Sequence, residues 1–314
     1  MSKRTRVIFA SIVMIIISLG ICGFFGGGSF LCELVFSTDS TIFTTISDHN
    51  ESKNPTIQQV EWLEKESGFT NCYTNSTTDG IDLHALSITN QNTTNDWVIM
   101  VHGYRSNPWR VSDYAYNYYN LGYNVLLPAL RGSLETGGKW ITFGLYEHLD
   151  ICDWINFLVE HNPSCRIILH GVSMGAATVM LTAGENLPDN VRLVIEDSGY
   201  TSLVAQLAYI VNYYAYTPSF PALQSVDLMM QRKAGFAIKE VDCIESLKKA
   251  TLPIYFIHGK DDIFVPYFMH EQLYSSYSHA KDKLVIEKAR HIHGSTVDAE
   301  RYWSGITNFI ATYF

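Results

Sequence analysis

From Ile57 onward the apolar residues follow two alternating rhythms. Short, nearly continuous apolar runs appear at Trp97 to His102, Asn124 to Leu127, Arg166 to His170, Arg192 to Glu196, Ile254 to His258 and Lys283 to Glu287. Such runs suit strands buried on both faces, as parallel sheets require. Between them lie stretches that predict amphipathic helices: Val111 to Asn120, Leu145 to Glu160, Met174 to Glu185, Phe268 to Tyr277 and Ala299 to Phe314. Gln58 to Glu66 predicts a short leading helix, and Phe69 to Thr74 and Ile81 to Thr89 predict two strands joined by a turn at Asp79-Gly80. The alternation predicts one doubly wound α/β domain over 57–314, its sheet mostly parallel and led by an antiparallel hairpin.

The rhythm lapses once. Between Gly199 and Thr251 no convincing sheet strand occurs, and the stretch holds Tyr200, Tyr209, Tyr213, Tyr214, Tyr216, Phe220 and Phe236. Extra helices on the core would explain it. A small helical cap over residues 200–250, lining an apolar pocket above the strand C-termini, explains it better, because open α/β sheets bind ligands at that edge.

The first thirty residues have another character. Lys3, Arg4 and Arg6 precede Val7 to Phe25, a run with no charged residue. At about 1.5 Å per residue it approaches the ~30 Å of hydrocarbon that a transmembrane helix must cross. The expected division is a membrane anchor over 1–36 and a polar tether over 37–56, rich in Ser, Thr and Asn. The basic flank places the N-terminus in the cytoplasm and the body outside, as a single-pass protein of the cell membrane. Secretion after cleavage of a signal peptide is the alternative, and a buried core helix a third.

Charge narrows the partners. The net charge is −9, and the basic N-terminus leaves the rest of the chain at −12. An acidic body repels phosphate backbones, which argues against nucleic acid. Six cysteines without a C-x-x-C pair exclude a disulfide scaffold and a zinc ribbon. No His/Asp/Glu cluster at metal spacing appears, so neither metal nor cofactor is expected.

Candidate chemistry centres on Gly171-Val-Ser173-Met-Gly175, between the run RIILH and a predicted helix. An abrupt strand-to-helix turn pushes the middle side chain out of the sheet edge, and the glycines keep its flanks small. A serine needs a base, and the base an orienting acid. The segment His258 to Pro266 offers Asp261 and Asp262 after a late strand, and Ala289 to Gly294 offers His291 and His293 after the last one. Asp197, after an earlier strand, is a rival acid that otherwise holds the turn or caps the next helix, while His170 and His258 read as core histidines.

In these motifs the chain resembles the α/β hydrolases, in particular membrane-anchored bacterial serine hydrolases and the BEM46-like group. The likeness runs from about Gln58 to the C-terminus. It rests on His102-Gly-Tyr104, Gly122-Tyr-Asn-Val-Leu-Leu-Pro128 with Leu130-Arg-Gly132, the helix around Glu147 to Asp150, Ser173, and Glu196-Asp-Ser-Gly-Tyr200. The Gly-x-x-Asp-x-x-Val-Pro pattern of that group falls on Gly259 to Pro266 and implies Asp262 as the acid. Its closing pattern falls on His291, Asp298, Glu300 and Tyr302-Trp303, implying His291 as the base. The Asp-x-Arg-Gly-His-Gly-x-Ser of many relatives is replaced by Ala129-Leu-Arg-Gly-Ser-Leu-Glu135, so the loop beside the pocket should differ.

The resemblance implies a catalytic Ser173, His291 and Asp262, with the backbone N–H groups of Tyr104 and Met174 as the oxyanion hole. The expected activity is cleavage of carboxylic esters, as in a carboxylesterase or lipase, through an acyl-enzyme. A peptidase or amidase on the same fold, and a non-catalytic cell-surface binding module, are the competing readings. The expected partners are a small-molecule ester or acyl substrate and, through the N-terminal helix, the membrane.

Overall fold

A computed structural model describes residues 20, 22–40, 56–216 and 218–314. Eight strands, β1 (Thr70–Asn75), β2 (Asp82–Ile88), β3 (Asp96–Val101), β4 (Asn124–Pro128), β5 (Arg166–Val172), β6 (Val191–Asp197), β7 (Ile254–Gly259) and β8 (Lys281–Ile286), form one sheet in the order β1-β2-β4-β3-β5-β6-β7-β8. The pairs β1/β2 and β2/β4 are antiparallel, and every other pair is parallel. The predicted hairpin is therefore the antiparallel edge of a sheet that is otherwise parallel.

Ten α-helices follow the described chain from residue 56: α1 (Ile57–Lys65), α2 (Ser112–Asn120), α3 (Glu147–His161), α4 (Met174–Ala183), α5 (Leu203–Tyr214), α6 (Ala222–Lys233), α7 (Cys243–Leu247), α8 (Tyr267–Ser276), α9 (Gly294–Val297) and α10 (Ala299–Tyr313). They cover both faces, which is why the central strands carry no polar alternation: β4 is buried at all five positions and β7 at all six. Two apolar cores result. One contains Ile99, Leu169, Trp154 and the buried face of α4, and the other contains Val98, Ile168, Tyr118 and Tyr302. The stretch without strands folds as α5, α6, a 3-10 turn over Ile238–Glu240, and α7.

The loop after β4 is tied down by charge. Arg131 gives two hydrogen bonds to Asp150 on α3, Nε to Oδ2 at 2.7 Å and Nη2 to Oδ1 at 2.8 Å, and Nη1 reaches Asp79 in the hairpin turn at 2.6 Å. Ser76 donates to Asp150 as well, at 2.7 Å. This network fastens the antiparallel edge to the parallel body.

The N-terminal stretch differs from the expected division. Residues 22–36 are helical, and the body holds this helix closely, with Cys32 and Phe36 fully buried. Tyr104 donates to the Val35 carbonyl at 2.6 Å, while Arg105 reaches the carbonyls of Leu34, Ser37 and Ser40. Thr38 donates to the Lys139 carbonyl, and Ile141 to that of Phe36. The end of the expected anchor and the start of the expected tether are thus part of the folded body. The physical reason is that the apolar residues after that run, Leu31, Val35 and Phe36, face protein core. Among the described residues no helix is long and apolar enough to cross a membrane. Most of the run Val7 to Phe25 lies outside the described residues.

Candidate active site

Ser173 stands between the end of β5 and the first residue of α4 with φ 57° and ψ −120°, a left-handed conformation that costs a serine energy. Two glycines make the turn possible by their size. A Cβ on Gly171 would fall 2.1 Å from the Gly175 carbonyl oxygen, and one on Gly175 would fall 2.2 Å from that of Val101. Any side chain there would push α4 off the sheet.

The structure brings three distant side chains together at this edge. His291 Nε2 lies 2.8 Å from Ser173 Oγ, and His291 Nδ1 lies 2.7 Å from Asp262 Oδ2. With Asp262 ionised, Nδ1–H donates to the carboxylate and leaves Nε2 to accept the serine proton. Asp262 is held in turn: its Oδ1 accepts backbone N–H groups of Phe264 and Val265, each at 2.9 Å. Burial works to raise its pKa, but His291 and His258 outweigh it and hold the carboxyl well below the usual carboxylate range.

His258 is more than a core histidine. It lies at the end of β7, donates from Nε2 to the Val265 carbonyl at 2.9 Å, and sits 3.3 Å from Asp262 Oδ2. Its contact with the acid was not legible in the sequence, where the i, i+4 separation falls across a loop of unknown path. His293 bonds from Nδ1 to the His291 carbonyl and not to the serine, and Asp261 faces solvent. Asp197 accepts from Tyr302 at 2.8 Å and from Ser198 at 2.7 Å, a buried position that fixes α10 to the sheet. His170 is likewise buried, bonded to Tyr118 at 2.8 Å.

Tyr104 and Met174 border the same space as Ser173. The backbone at Gly103 approaches so closely that a Cβ there would be 3.3 Å from Ser173 Cβ. The β3 loop and the first turn of α4 therefore meet beside the hydroxyl.

Above the serine lies a cavity of about 220 Å³ with almost wholly apolar walls. The cap supplies Leu207, Ile210, Val211, Leu223 and Val226, the body Phe143 and Phe264. The N-terminal helix supplies Leu31, Leu34, Val35 and Phe36, a contribution the sequence reading missed because it took those residues for an anchor. The Phe264 ring stands 5.0 Å from that of His291. A second cavity of about 280 Å³, beyond Gly103 and Met174, is lined by polar groups including Ser40, Arg105, Ser106, Asn107 and Ser133.

The comparisons with known proteins agree with this architecture. Residues 96–210 match the model of the alpha/beta hydrolase fold family. The chain has the α/β-hydrolase fold. It is similar to YqkD of Bacillus subtilis strain 168, an uncharacterized protein, at 26% identity over 309 residues, covering 98% of this chain and 97% of that one. Among solved structures it resembles the Pyrococcus furiosus esterase Pf2001, with TM-score 0.65 and 21% identity over 83% of this chain and 95% of the other. It also resembles the Pyrococcus horikoshii acylaminoacyl peptidase, with TM-score 0.58 and 15% identity, covering 82% of this chain and 43% of the peptidase. Esterases and peptidases thus share this α/β-hydrolase architecture, and fold alone does not choose between them.

Proposed function

We propose that the protein is a serine esterase for carboxylic esters with an apolar acyl group, attached to the cell membrane by the run that ends at Phe25. The observation that carries this reading is the hydrogen-bonded chain from Ser173 through His291 to Asp262 at the floor of an apolar cavity. His291 takes the proton as Ser173 Oγ attacks the ester carbonyl, and Asp262 steadies the imidazolium. The N–H groups of Tyr104 and Met174 receive the oxyanion. The imidazolium returns the proton to the departing alcohol, leaving Ser173 acylated. Water, deprotonated by the same histidine, then releases the acid and frees the serine.

The cavity wall favours an ester over a peptide. Among the described residues no charged side chain lines it, and the polar side chains there besides Ser173 are Gln206 and the two tyrosines, so an extended peptide backbone would lose hydrogen bonds to water there. A fluorophosphonate probe tests the nucleophile: wild type should label and Ser173→Ala should not. Turnover of p-nitrophenyl esters of increasing chain length, set against aminoacyl anilides, tests the substrate. Faster cleavage of the anilides would replace the esterase reading by the peptidase one, and absence of both labelling and turnover would favour a binding module.

A further inference from the structure

The outer surface of the cap is unlike the rest of the molecule. From Ser198 to Val226 the chain carries no charged residue, within a body that is strongly acidic. α5 and α6 turn one face to the cavity, and the chain at their outer ends exposes aromatic rings. Tyr213 is 46% exposed, Tyr216 91% and Phe220 71%.

Tyr213 belongs to an exposed aromatic group next to the cavity wall. Tyr209 stacks on Tyr213 at 5.3 Å and meets Phe268 at 6.3 Å, and Phe268 is half exposed. The Tyr209 and Tyr214 hydroxyls both donate to the carbonyl of Ile263, itself an exposed residue next to the cavity-lining Phe264. Exposed aromatic surface concentrated on one element of the fold marks an interaction face, and amphipathic tyrosine rings suit the boundary between water and lipid.

The N-terminal helix indicates what meets this face. Ser225 donates to the Phe24 carbonyl, and a Cβ on Gly28 would fall 1.9 Å from Ser225 Oγ, so the two helices touch closely. Farther along, Lys233 bonds Ser29 at 2.8 Å and Glu33 at 2.7 Å. Cys32 Sγ also meets the Val226 carbonyl at 3.4 Å, and the Arg232 guanidinium lies 5.2 Å from the Phe25 ring. Phe24, Gly28 and Cys32 thus follow the start of α6, Phe25, Ser29 and Glu33 follow its end, and the two helices cross. The described end of the uncharged run, Phe24 and Phe25, therefore packs against α6, the cap helix that begins two residues after the exposed Phe220. The end of the membrane-seeking segment thus rests on the same cap helix that the exposed Phe220 leads into.

We propose that the aromatic rim of the cap seats on a phospholipid bilayer, so that the apolar cavity opens toward lipid. The contact is apolar and interfacial, and it leaves the acidic remainder of the body facing water. With the esterase reading, on which this last step rests, the substrate is an acyl ester that enters from the membrane surface.

Docking is tested without reference to catalysis. The full chain is reconstituted in phosphatidylcholine vesicles containing brominated lipid, and tryptophan quenching is compared between Phe220→Trp at the rim and Tyr73→Trp, exposed on β1, each after subtraction of wild type. Several-fold stronger quenching for Phe220→Trp is expected. Equal quenching at the two positions, or none at the rim, overturns the proposal, because a body merely tethered by its N-terminus would keep both rings in water. Delivery is tested by the combined Tyr213→Ser, Tyr216→Ser and Phe220→Ser variant. Hydrolysis of a vesicle-borne acyl ester should fall roughly tenfold, as expected for loss of a few interfacial rings, while a soluble short-chain ester is turned over as before. Equal loss on both esters, or loss on neither, removes the delivery step. If Ser173 fails to react with a fluorophosphonate, the esterase reading falls and the quenching result stands by itself.

Discussion

At the carboxyl edge of the sheet, Ser173, Asp262 and His291 are held by strand ends, backbone N–H groups and one another. The cavity wall above them comes from helices α5 and α6 and from residues 31–36, whose hydrogen bonds to the edge, such as Gln206 to the Phe264 carbonyl at 2.8 Å and Tyr104 to that of Val35 at 2.6 Å, do not involve the side chains of Ser173, Asp262 or His291. The first region fixes distances within a hydrogen bond. The second fixes only shape and polarity. In the proposed esterase, chemistry therefore belongs to the edge and selection to the cover, and a substitution in one should leave the signature of the other untouched.

The largest effect should follow from removing the nucleophile. Ser173→Ala is expected to lower kcat by about 10⁶, as for a serine acting as one unit with its base, while the thermal midpoint holds, since the left-handed backbone at 173 is set by the turn. Retained ester hydrolysis would break the comparison at its root. Asp262→Asn comes next, at about 10⁴ in kcat. The amide no longer holds the imidazole in the tautomer that accepts from serine, while the chain-length preference, a property of the cover, should not move.

The difference between the regions also explains what could be read from the sequence. The edge was legible because its constraints are local: a Gly-x-Ser-x-Gly between strand and helix, and acid and base each in a loop after a late strand. The six parallel-sheet runs match strands β3 to β8 to within a few residues, because buried strands leave a nearly continuous apolar signature, while β1 and β2 were marked by the turn at Asp79-Gly80. The N-terminal wall was not legible. Leu31, Val35 and Phe36 are apolar residues at helical spacing, and whether such a face meets lipid or protein core depends on surfaces brought together only by folding. Arg131 belongs to the same class: its partners Asp79 and Asp150 lie 52 and 19 residues away.

Arg131 sharpens the edge side of the comparison. Its side chain and that of Asp150 are 3% and 5% exposed. Arg131→Met strands the Asp150 carboxylate in a site built for a cation, and should cost about 3–5 kcal/mol of stability. Urea unfolding would measure it. A loss near zero would mean that the loop after β4 does not fasten the hairpin to the body.

A smaller effect is expected from His102, at the sheet edge. Its Nε2 accepts the Leu130 N–H at 3.1 Å while Nδ1–H donates to the Gly103 carbonyl at 2.9 Å. Burial, only partly opposed by that carbonyl, lowers its pKa to about 4. The folded value lies below the unfolded value of about 6.5, so the unfolded chain binds more protons in between. The contribution is present in full above the unfolded pKa and is lost as pH falls toward the folded one, on the order of a few kcal/mol. His102→Gln should show a shallower decline of its urea midpoint over that window than wild type. Parallel curves would show that the ring is not the group responsible.

The cover itself supplies the finest test. Val35, on the N-terminal helix, and Leu207, on α5, both line the cavity from opposite elements. Val35→Trp and Leu207→Trp each fill part of the space that a long acyl chain would occupy, without touching Ser173, His291 or Asp262. Each should lower kcat/KM for long-chain esters by about tenfold, some 1.4 kcal/mol of lost binding and strain, with acetate turnover unchanged. The two differ in what they teach. A shift from Leu207→Trp alone would leave selection to the cap and make residues 31–36 a passive cover. A matching shift from Val35→Trp would make the N-terminal helix part of the substrate site, because a residue outside the sheet and outside the cap would then set which acyl chains reach the serine.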